Sequence, residues 1–259
     1  MGFCGGAQAL GGAAYPTGRA DEPTKGDAPW VDFGTAVLSA YGTMAALMAR
    51  QQTGKGQMVE GALLATALNF FNFHLIEQDL RGTDRTAIGN RSPYAGPADC
   101  VQTKDGWIFV QVIGDPLFKR WAKLMGEDTW LSDPRFSDDL KRGEHGEILS
   151  QRTADWAAQY TMEEALNILG DARIPAGPVY SPAQALADPH IQAMKYMTPL
   201  DFPGIPHTAP VMETPIKLSD TPGGIRHRAP LLGEHTDAIL SDLGYSKTTI
   251  DELRAQGVI

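Results

Sequence analysis

A long apolar run that follows an aspartate constrains this chain more than any other stretch. After Asp32 and a Phe-Gly pair, small and apolar residues recur at helical spacing as far as Met48. Arg50 falls where a last helical turn is expected, and a glycine at position 54 ends the pattern. The sequence therefore predicts one long helix that Asp32 opens and Gly54 closes.

Asp32 has two interpretations. An aspartate at the start of a helix can accept hydrogen bonds from free backbone N–H groups and lies favourably near the positive end of the helix dipole. The same carboxylate, with Gly34 beside it for close approach, could instead attack an activated carbonyl carbon. Capping is the commoner role of aspartate at such a position, so the residue alone does not decide between them.

The stretch after this helix predicts two further elements. Residues 57–60, Gln-Met-Val-Glu, are expected to form a short buried strand, and residues 63–78 are rich in Leu, Ala and Phe, as in a second helix. The Gly-Lys-Gly-Gln run at 54–57 follows a helix and lacks the spacing of a phosphate-binding loop. We therefore do not expect a nucleotide phosphate site there.

The combination of motifs is more specific than any one of them. Asp-Phe-Gly, a helix ending in Ala-Leu-x-x-Arg, Thr-Gly-Lys-Gly-Gln-x-Val and a Leu-Leu helix together resemble the class III coenzyme A transferases of the CaiB/BaiF type. That family includes formyl-CoA transferase, carnitine CoA-transferase and α-methylacyl-CoA racemase. Four further motifs follow in the family's order: Asp-Pro-Arg-Phe at 133–136, Ile-Pro-Ala-Gly-Pro-Val at 174–179, Ala-Asp-Pro-His at 187–190 and Pro-Leu-Leu-Gly-Glu-His-Thr at 230–236. The resemblance covers nearly the whole chain but does not specify the substrate.

The resemblance implies covalent chemistry at Asp32, which matches the family's nucleophilic aspartate. The ionised carboxylate would attack the thioester of an acyl-CoA, and an aspartyl-CoA thioester would then pass coenzyme A to a carboxylic acid. Gly34 is a candidate donor of an N–H group to the oxyanion. Leu63 corresponds to a residue lining the thioester pocket, and Gly114 to a small-domain loop over the active site. No permanently bound cofactor is implied, because the coenzyme A thioester is a substrate.

Two alternatives stand beside the transferase. The racemase branch removes and returns a proton at the α-carbon of an acyl-CoA, and it pairs the aspartate with a histidine. The matching positions here are Phe3 and Cys4, which disfavours a racemase. A third hypothesis is a non-catalytic or truncated subunit that needs a partner, since the first half of the family's large domain lies upstream of Met1.

Composition excludes several classes of protein. The net charge is −9 and 42% of the 259 residues are hydrophobic, which suits a globular core and disfavours a nucleic-acid binder. The two cysteines give no disulfide framework, and neither they nor the six histidines show metal-ligand spacing, so we expect no metal. We expect a cytoplasmic protein, because no apolar run approaches membrane-spanning length.

The resemblance also implies the architecture, which is an α/β fold with an incomplete Rossmann-like large domain and a small α+β domain. We expect residues 1–78 in the large domain with the catalytic aspartate, 79–97 as a linker, 98–195 as the small domain, and 196–259 as a return segment with C-terminal helices. Family members form interlocked homodimers. Such a dimer, or association with a chain that supplies the N-terminal half, is the expected partner.

The residues of the small domain predict their own secondary structure. Two β-rich runs around Lys-Asp-Gly at 104–106 predict a hairpin. The Gly-Asp-Pro at 114–116 predicts a helix start, followed by an aromatic stripe that we assign to the core. A helix is expected over 144–160, and a capping box at Thr161 predicts another that runs through Leu169. Shorter helices are expected from Ser181 towards Asp188, from the run at 233–236 to Leu243, and over 251–256. A β-like piece is expected over 211–218.

Overall fold

Helices and short antiparallel sheets alternate along the computed structural model, which describes residues 4–19, 22–24 and 26–259. They form two units, Met1–Val179 and Tyr180–Ile259. The predicted mixture of helices and sheet is confirmed, and every strand pairing among the described residues is antiparallel. The finer domain limits expected from the sequence, at residues 78, 97 and 195, stay predictions.

The first part of the first unit is mainly helical. Its elements are α1 (Cys4–Leu10), β1 (Gly18–Arg19), β2 (Glu22–Pro23), α2 (Trp30–Thr53), α3 (Leu63–Phe70) and α4 (Asn72–Arg81). The short strands β1 and β2 pair with each other. Helices α1, α2 and α3 pack together around a small cluster of Ala7, Val31 and Ala67.

The long helix predicted from the apolar run is confirmed as α2. It begins at Trp30, so Asp32 is its third residue rather than its first. It ends because Gly54 adopts a left-handed conformation (φ 71°) and donates its N–H to the Arg50 carbonyl. Arg50 lies in the last turn, where its charge suits the negative end of the helix dipole.

One side of α2 is apolar and uncovered. Val31 is its only buried residue, whereas large apolar side chains at intervals of three or four are 59–75% exposed. We call these the α2 apolar stripe: Phe33, Val37, Tyr41, Met44 and Met48. The helix is also long and apolar enough to cross a membrane by length and composition alone, which corrects the expectation that no run reaches this length. Core helices of soluble proteins pass the same test, so this criterion does not assign α2 to a membrane.

Two predictions for the following stretch were wrong. Residues 57–60 form no strand, and they are exposed. No described strand lies beside them to accept their hydrogen bonds, and a lone strand cannot satisfy its own backbone. The single helix predicted over 63–78 is two helices that break at Phe71, and α4 continues to Arg81 until Gly82 ends it.

The rest of the first unit surrounds a small sheet. Its elements are β3 (Ala98–Gln102), β4 (Trp107–Gln111), α5 (Asp115–Met125), two 3-10 turns (Asp128–Ser132, Pro134–Phe136), α6 (Asp139–Glu144), α7 (Gly146–Ala157), α8 (Met162–Asp171) and β5 (Ala176–Pro178). The predicted hairpin is confirmed as β3 and β4, and β5 adds to the other edge of β4. The sheet order is therefore β3-β4-β5.

The main core of the first unit lies between this sheet and helices α5, α7 and α8. The predicted aromatic stripe of α5 supplies Phe118 and Trp121, which are at most 2% exposed and stack at a centroid distance of 5.6 Å. Leu149 of α7 and Leu169 of α8 fill the same core. The predicted capping box is confirmed: the Thr161 hydroxyl accepts from the Glu164 N–H, and the Glu164 carboxylate accepts from the Thr161 N–H.

The second unit is made of short elements. These are α9 (Pro182–Ala187), α10 (Pro189–Ala193), β6 (Met197–Leu200), β7 (Ala209–Met212), α11 (Thr236–Asp242) and α12 (Lys247–Ala255). Helix α9 confirms the prediction from Ser181, but the strand expected over 211–218 ends at Met212. Helix α12 begins earlier than predicted, because Ser246 caps it instead of stopping α11: its side chain accepts from the Thr249 N–H.

Candidate active site

Asp32 is an exposed carboxylate in the first turn of α2. Pro29 is the residue before the helix, and no side chain caps this helix start. The expected capping bond of Asp32 is therefore not formed, and its side chain has no hydrogen-bond partner among the described residues. The carboxylate is free to meet a reactant from solvent.

The backbone at this helix start offers hydrogen-bond donors. The Trp30 N–H donates to the Ala28 carbonyl at 2.8 Å and the Phe33 N–H to the Pro29 carbonyl at 3.1 Å. The N–H groups of Val31 and Asp32 have no acceptor in the part of the chain that is described, as expected for a first turn. Two N–H groups next to a free carboxylate can stabilise an oxyanion that forms there.

Leu63 lies close to this helix start. It is the first residue of α3, and it packs with Trp30 against the cluster formed by Val31, Ala7 and Ala67. The structure therefore brings Leu63 to the same small cluster as Val31, the residue that precedes Asp32. Its role in lining a thioester pocket stays a prediction.

Gly34 has a packing contact that the sequence did not suggest. A Cβ on Gly34 would lie 2.6 Å from Cε2 of Phe70, which is a ring atom on α3. Gly34 is the fifth residue of α2, where an N–H normally finds an intrahelical carbonyl. The close approach of α3 is the reason we see for glycine here, and its role as an oxyanion donor stays a prediction.

A groove begins one turn beyond Asp32. It has a volume of about 270 Å³ between α2 and the start of α3, and its polar lining includes Thr35, Ser39, Thr66 and Asn69. Thr35 follows Asp32 by three residues and so lies on the same side of α2. The hydroxyls of Thr35 and Thr66 are hydrogen-bonded at 2.8 Å and join the two helices. Asp32 itself is not among the residues that line this groove.

Gly114 lies in the other part of the first unit. It precedes α5 with φ 84°, and its N–H donates to both carboxylate oxygens of Asp139, at 3.0 and 2.8 Å. The Arg142 side chain is 4% exposed, and its guanidinium pairs with the carboxylates of Asp139 at 2.9 Å and Asp115 at 2.7 Å. These ion pairs hold the turn at Gly114 in place. No hydrogen bond among the described residues joins Gly114 to Asp32, and its place in the site stays a prediction.

Other sequence-based candidates have structural partners or lie outside the description. Phe3, and the side chain of Cys4, which matter for the racemase alternative, are outside the described residues. Glu234, beside His235, pairs with Arg228 at 2.5 Å, and this contact lowers the pKa of the glutamate to about 2. Within the described ranges no group of three or more His, Cys, Asp or Glu is arranged to hold a metal ion.

A polar network around α4 was missed by the sequence analysis. The Arg85 guanidinium donates through two nitrogens to the two oxygens of Glu77, both at 2.6 Å. The Tyr94 hydroxyl lies 2.8 Å from Glu77 and 2.9 Å from Nδ1 of His74. Arg85 and Tyr94 fall in the stretch assigned to a linker, and an acid and a base flanking Gly82 were the only signal of this pairing.

The network changes the titration of its members. The hydrogen bond from Arg85 is the main cause that lowers the pKa of Glu77, from 4.5 to about 2. Burial raises the pKa of the Tyr94 phenol, and burial lowers the pKa of the His74 imidazole. At neutral pH the network therefore contains an ionised glutamate, a protonated arginine, a neutral tyrosine and a neutral histidine.

Comparison with known proteins agrees with the motifs. The profile of CoA-transferase family III matches residues 1–236. The succinyl-CoA–D-citramalate CoA-transferase of Chloroflexus aurantiacus is 32% identical over 255 residues, which cover 97% of this chain and 63% of that protein. The succinyl-CoA–L-malate CoA-transferase beta subunit of the same organism is 31% identical, and the alignment covers 100% of this chain and 65% of that protein.

A solved structure gives the same result for the fold. A CAIB/BAIF family protein from Brucella suis superimposes with a TM-score of 0.75 at 27% identity, over 94% of this chain and 63% of that one. The chain thus spans less than two thirds of the length of each of these three proteins.

Proposed function

The chain belongs to CoA-transferase family III, and from this premise we propose that it moves coenzyme A from an acyl-CoA to a carboxylic acid through Asp32. The carboxylate attacks the thioester carbonyl and expels CoA thiolate, leaving a mixed anhydride. The thiolate then attacks the aspartyl carbonyl, which releases the donor acid and leaves an aspartyl-CoA thioester. The acceptor carboxylate attacks this thioester and expels CoA thiolate, which leaves a second mixed anhydride. The thiolate then attacks the acceptor carbonyl of this anhydride, which gives the acceptor acyl-CoA and frees the Asp32 carboxylate.

The observation that carries this proposal is the state of Asp32. It is exposed, it has no described hydrogen-bond partner, and two free N–H groups lie beside it at the start of α2. An aspartate that capped a helix would accept hydrogen bonds from backbone N–H groups of the first turn, whereas a nucleophile must be free to attack. The groove that Thr35 lines starts one turn beyond Asp32 on the same side of α2, and we propose that it holds the thioester arm.

The names of the relatives suggest which substrates to test. Two of them carry succinyl-CoA as the donor and a dicarboxylic hydroxy acid as the acceptor. We therefore propose succinyl-CoA as the first donor, with D-citramalate and L-malate as the first acceptors.

An association is part of the same proposal. Each side chain of the α2 apolar stripe is 59–75% exposed. Stable soluble proteins cover contiguous apolar patches of this kind. We propose that a second copy in an interlocked dimer, or a chain supplying the N-terminal half, covers it. A beta subunit among the relatives supports an assembly of different chains.

We place the protein in a reducing cytoplasm, consistent with a free thiol at Cys100.

Trapping of the covalent intermediate tests the proposal. The chain is incubated with succinyl-CoA and hydroxylamine, which converts an aspartyl thioester into a hydroxamate, and the product is located by peptide mass spectrometry. We expect the hydroxamate at Asp32 and its complete loss in Asp32→Ala. Asp27→Ala is the matched control, because Asp27 is an exposed aspartate in the loop just before α2. This variant should keep the adduct.

The alternatives predict different results. A racemase would give no adduct but would exchange the α-proton of a 2-methylacyl-CoA with deuterium from solvent. A subunit that needs a partner would show neither reaction alone and would gain the adduct when the partner is added. An adduct at another residue, or one that persists in Asp32→Ala, would rule out Asp32 as the nucleophile.

A further inference from the structure

A second cavity lies beside the network around α4. It has a volume of about 480 Å³ and no lining residue from α2, the helix of Asp32. Its apolar wall is formed by the side chains of Tyr15, Pro16, Phe71 and Leu75. Its polar wall contains His74, Glu77, Gln78, Thr83, Asp84 and Arg85. The coenzyme A transfer proposed above makes no use of these residues.

The hydrogen bonds determine which nitrogen of His74 carries the proton. Glu77 is ionised, held by two Arg85 N–H donors at 2.6 Å, and can only accept. The Tyr94 hydroxyl must therefore donate its single proton to Glu77, at 2.8 Å. It can then only accept from His74, 2.9 Å away, so Nδ1 of His74 is the protonated nitrogen.

This arrangement leaves an unused acceptor on His74, a residue that lines the cavity. In a neutral imidazole that is protonated at Nδ1, the other nitrogen, Nε2, carries a lone pair. No described residue donates to Nε2 of His74. The rings of Phe71 and Phe73 lie against the imidazole at centroid distances of 4.3 and 4.1 Å and limit its rotation. The lone pair is thus fixed in place and has no partner.

The charges of the lining disfavour an anionic ligand. Glu77 and Arg85 neutralise each other, and Asp84 adds one further negative charge. Two hydrogen bonds fix the loop that carries Asp84. The Gln78 side chain donates to the Asp84 carboxylate and accepts from the Asp84 backbone N–H, both at 2.8 Å. A ligand that fits this lining has no negative charge, has an apolar body and carries a hydrogen-bond donor.

We propose that this cavity binds an uncharged molecule of the phenol or alcohol class, whose hydroxyl donates to Nε2 of His74 and whose apolar body lies against Tyr15, Phe71 and Leu75. The Glu77–Tyr94 pair acts as a positioning element, since it sets the tautomer of His74. The site is independent of coenzyme A transfer and of Asp32.

Three probes with one ring test the proposal: phenol, toluene, which lacks the donor, and benzoate, which is an anion. They are titrated against the chain with ¹⁵N-labelled histidine, and the imidazole nitrogens are followed by NMR. We expect saturable phenol binding that shifts Nε2 of His74, toluene binding about tenfold weaker because one hydrogen bond is lost, and no benzoate binding. In the free chain we expect Nδ1 of His74 to be the protonated nitrogen.

Three variants assign the effect to His74. In His74→Phe, phenol and toluene should bind equally, whereas His207→Phe, which changes an exposed histidine, should keep the tenfold preference. Tyr94→Phe keeps the aromatic ring but no longer fixes the tautomer of His74. It should reduce the preference for phenol over toluene without abolishing toluene binding. The proposal is overturned if phenol does not saturate, if phenol and toluene bind the unchanged chain equally, if benzoate binds best, or if Nε2 is the protonated nitrogen.

Discussion

Gly34 lies against the edge of the Phe70 ring, so that a Cβ at this glycine would fall 2.6 Å from Cε2 of the ring. A second close approach occurs where the segment before α3 meets α2, since a Cβ on Gly61 would lie 2.3 Å from the hydroxyl oxygen of Ser39. The two contacts set the separation of α2 from α3, and therefore the width of the groove between these two helices.

Adding a methyl group at Gly34 should push the two helices apart. We expect Gly34→Ala to lower the free energy of unfolding by about 1–3 kcal/mol, because overpacking exceeds the gain of up to about 1 kcal/mol in helix propensity. Urea unfolding measures the change. Gly170→Ala is the matched control: this glycine of α8 has open space around it, so the variant should be stabilised.

A double variant identifies the ring as the cause. In a Phe70→Ala background, the ring that meets the new methyl group is gone, so Gly34→Ala should become neutral or stabilising. The same loss with and without the Phe70 ring would show that the glycine serves another purpose.

The guanidinium of Arg142 should be essential to the turn at Gly114. It is 4% exposed, donates to Asp115, Asp139 and the Phe136 carbonyl, and lies 4.2 Å from the centroid of the Phe118 ring. We expect Arg142→Met to cost about 3 kcal/mol, since it removes the charged partner of Asp115 and Asp139 and the donor to the Phe136 carbonyl. Arg142→Lys should recover only part of the loss, because an ammonium cannot reproduce the planar fork.

The control for this experiment is Arg120→Met. Arg120 is exposed and donates to the Arg173 carbonyl, so its removal should cost no more than about 1 kcal/mol. Equal losses of unfolding free energy at the two arginines would contradict a special role for Arg142.

Stability should fall in acid through Glu77. Its pKa is about 2 in the folded chain and 4.5 in its ordinary state, chiefly because Arg85 hydrogen-bonds to the ionised form. A lowered folded pKa stabilises the fold above pH 4.5, and this contribution is lost as the pH falls towards 2. The shift corresponds to at most about 3 kcal/mol.

Urea unfolding of the unchanged chain and of Glu77→Gln at several pH values measures this contribution. The difference between them should be largest at pH 6 and should shrink steadily below pH 4.5. Glu147→Gln is the control, since Glu147 is 85% exposed and 3.9 Å from Arg91. Its difference should stay small throughout. A Glu77 difference that does not change with pH would rule out the ionised pair as its source.

The α2 apolar stripe should be covered in solution. Val37 and Tyr41 are 66% and 75% exposed and lie one turn apart. If a second chain covers them, Val37→Glu and Tyr41→Glu should reduce the molar mass measured by light scattering to that of one chain, because an unpaired charge in an apolar interface is costly. Gln51→Glu, on the exposed surface of the same helix, should leave the mass unchanged. A single-chain mass for the unchanged protein would contradict the proposed association.

Local signals predicted local structure well. The apolar period of α2, the Lys-Asp-Gly turn and the Thr161 capping box each depend on a few adjacent residues, and the structure confirms all three. The failures concern features that depend on distant residues. A strand over 57–60 needs neighbouring strands that the described chain does not contain, and the break at Phe71 follows a helix start that no capping residue announces.

The candidate site divides in the same way. Asp32 could be selected from its motif, and its freedom from a capping bond could not, because that depends on the backbone of Pro29 and Trp30. The pairing of Glu77, Arg85, Tyr94 and His74 was invisible for a related reason. Each residue is ordinary in sequence, and only the turn after Gly82 and the path to Tyr94 bring them together.

The sheet order β3-β4-β5 has a consequence during synthesis. Strand β5 pairs with residues 108–110 of β4, yet helices α5 to α8 separate the two strands in the chain. The edge of β4 therefore stays unpaired until residue 178 has left the ribosome. An unpaired strand edge is a template for contact with other chains. A nascent chain that stalls between α5 and β5 would present this edge to other chains.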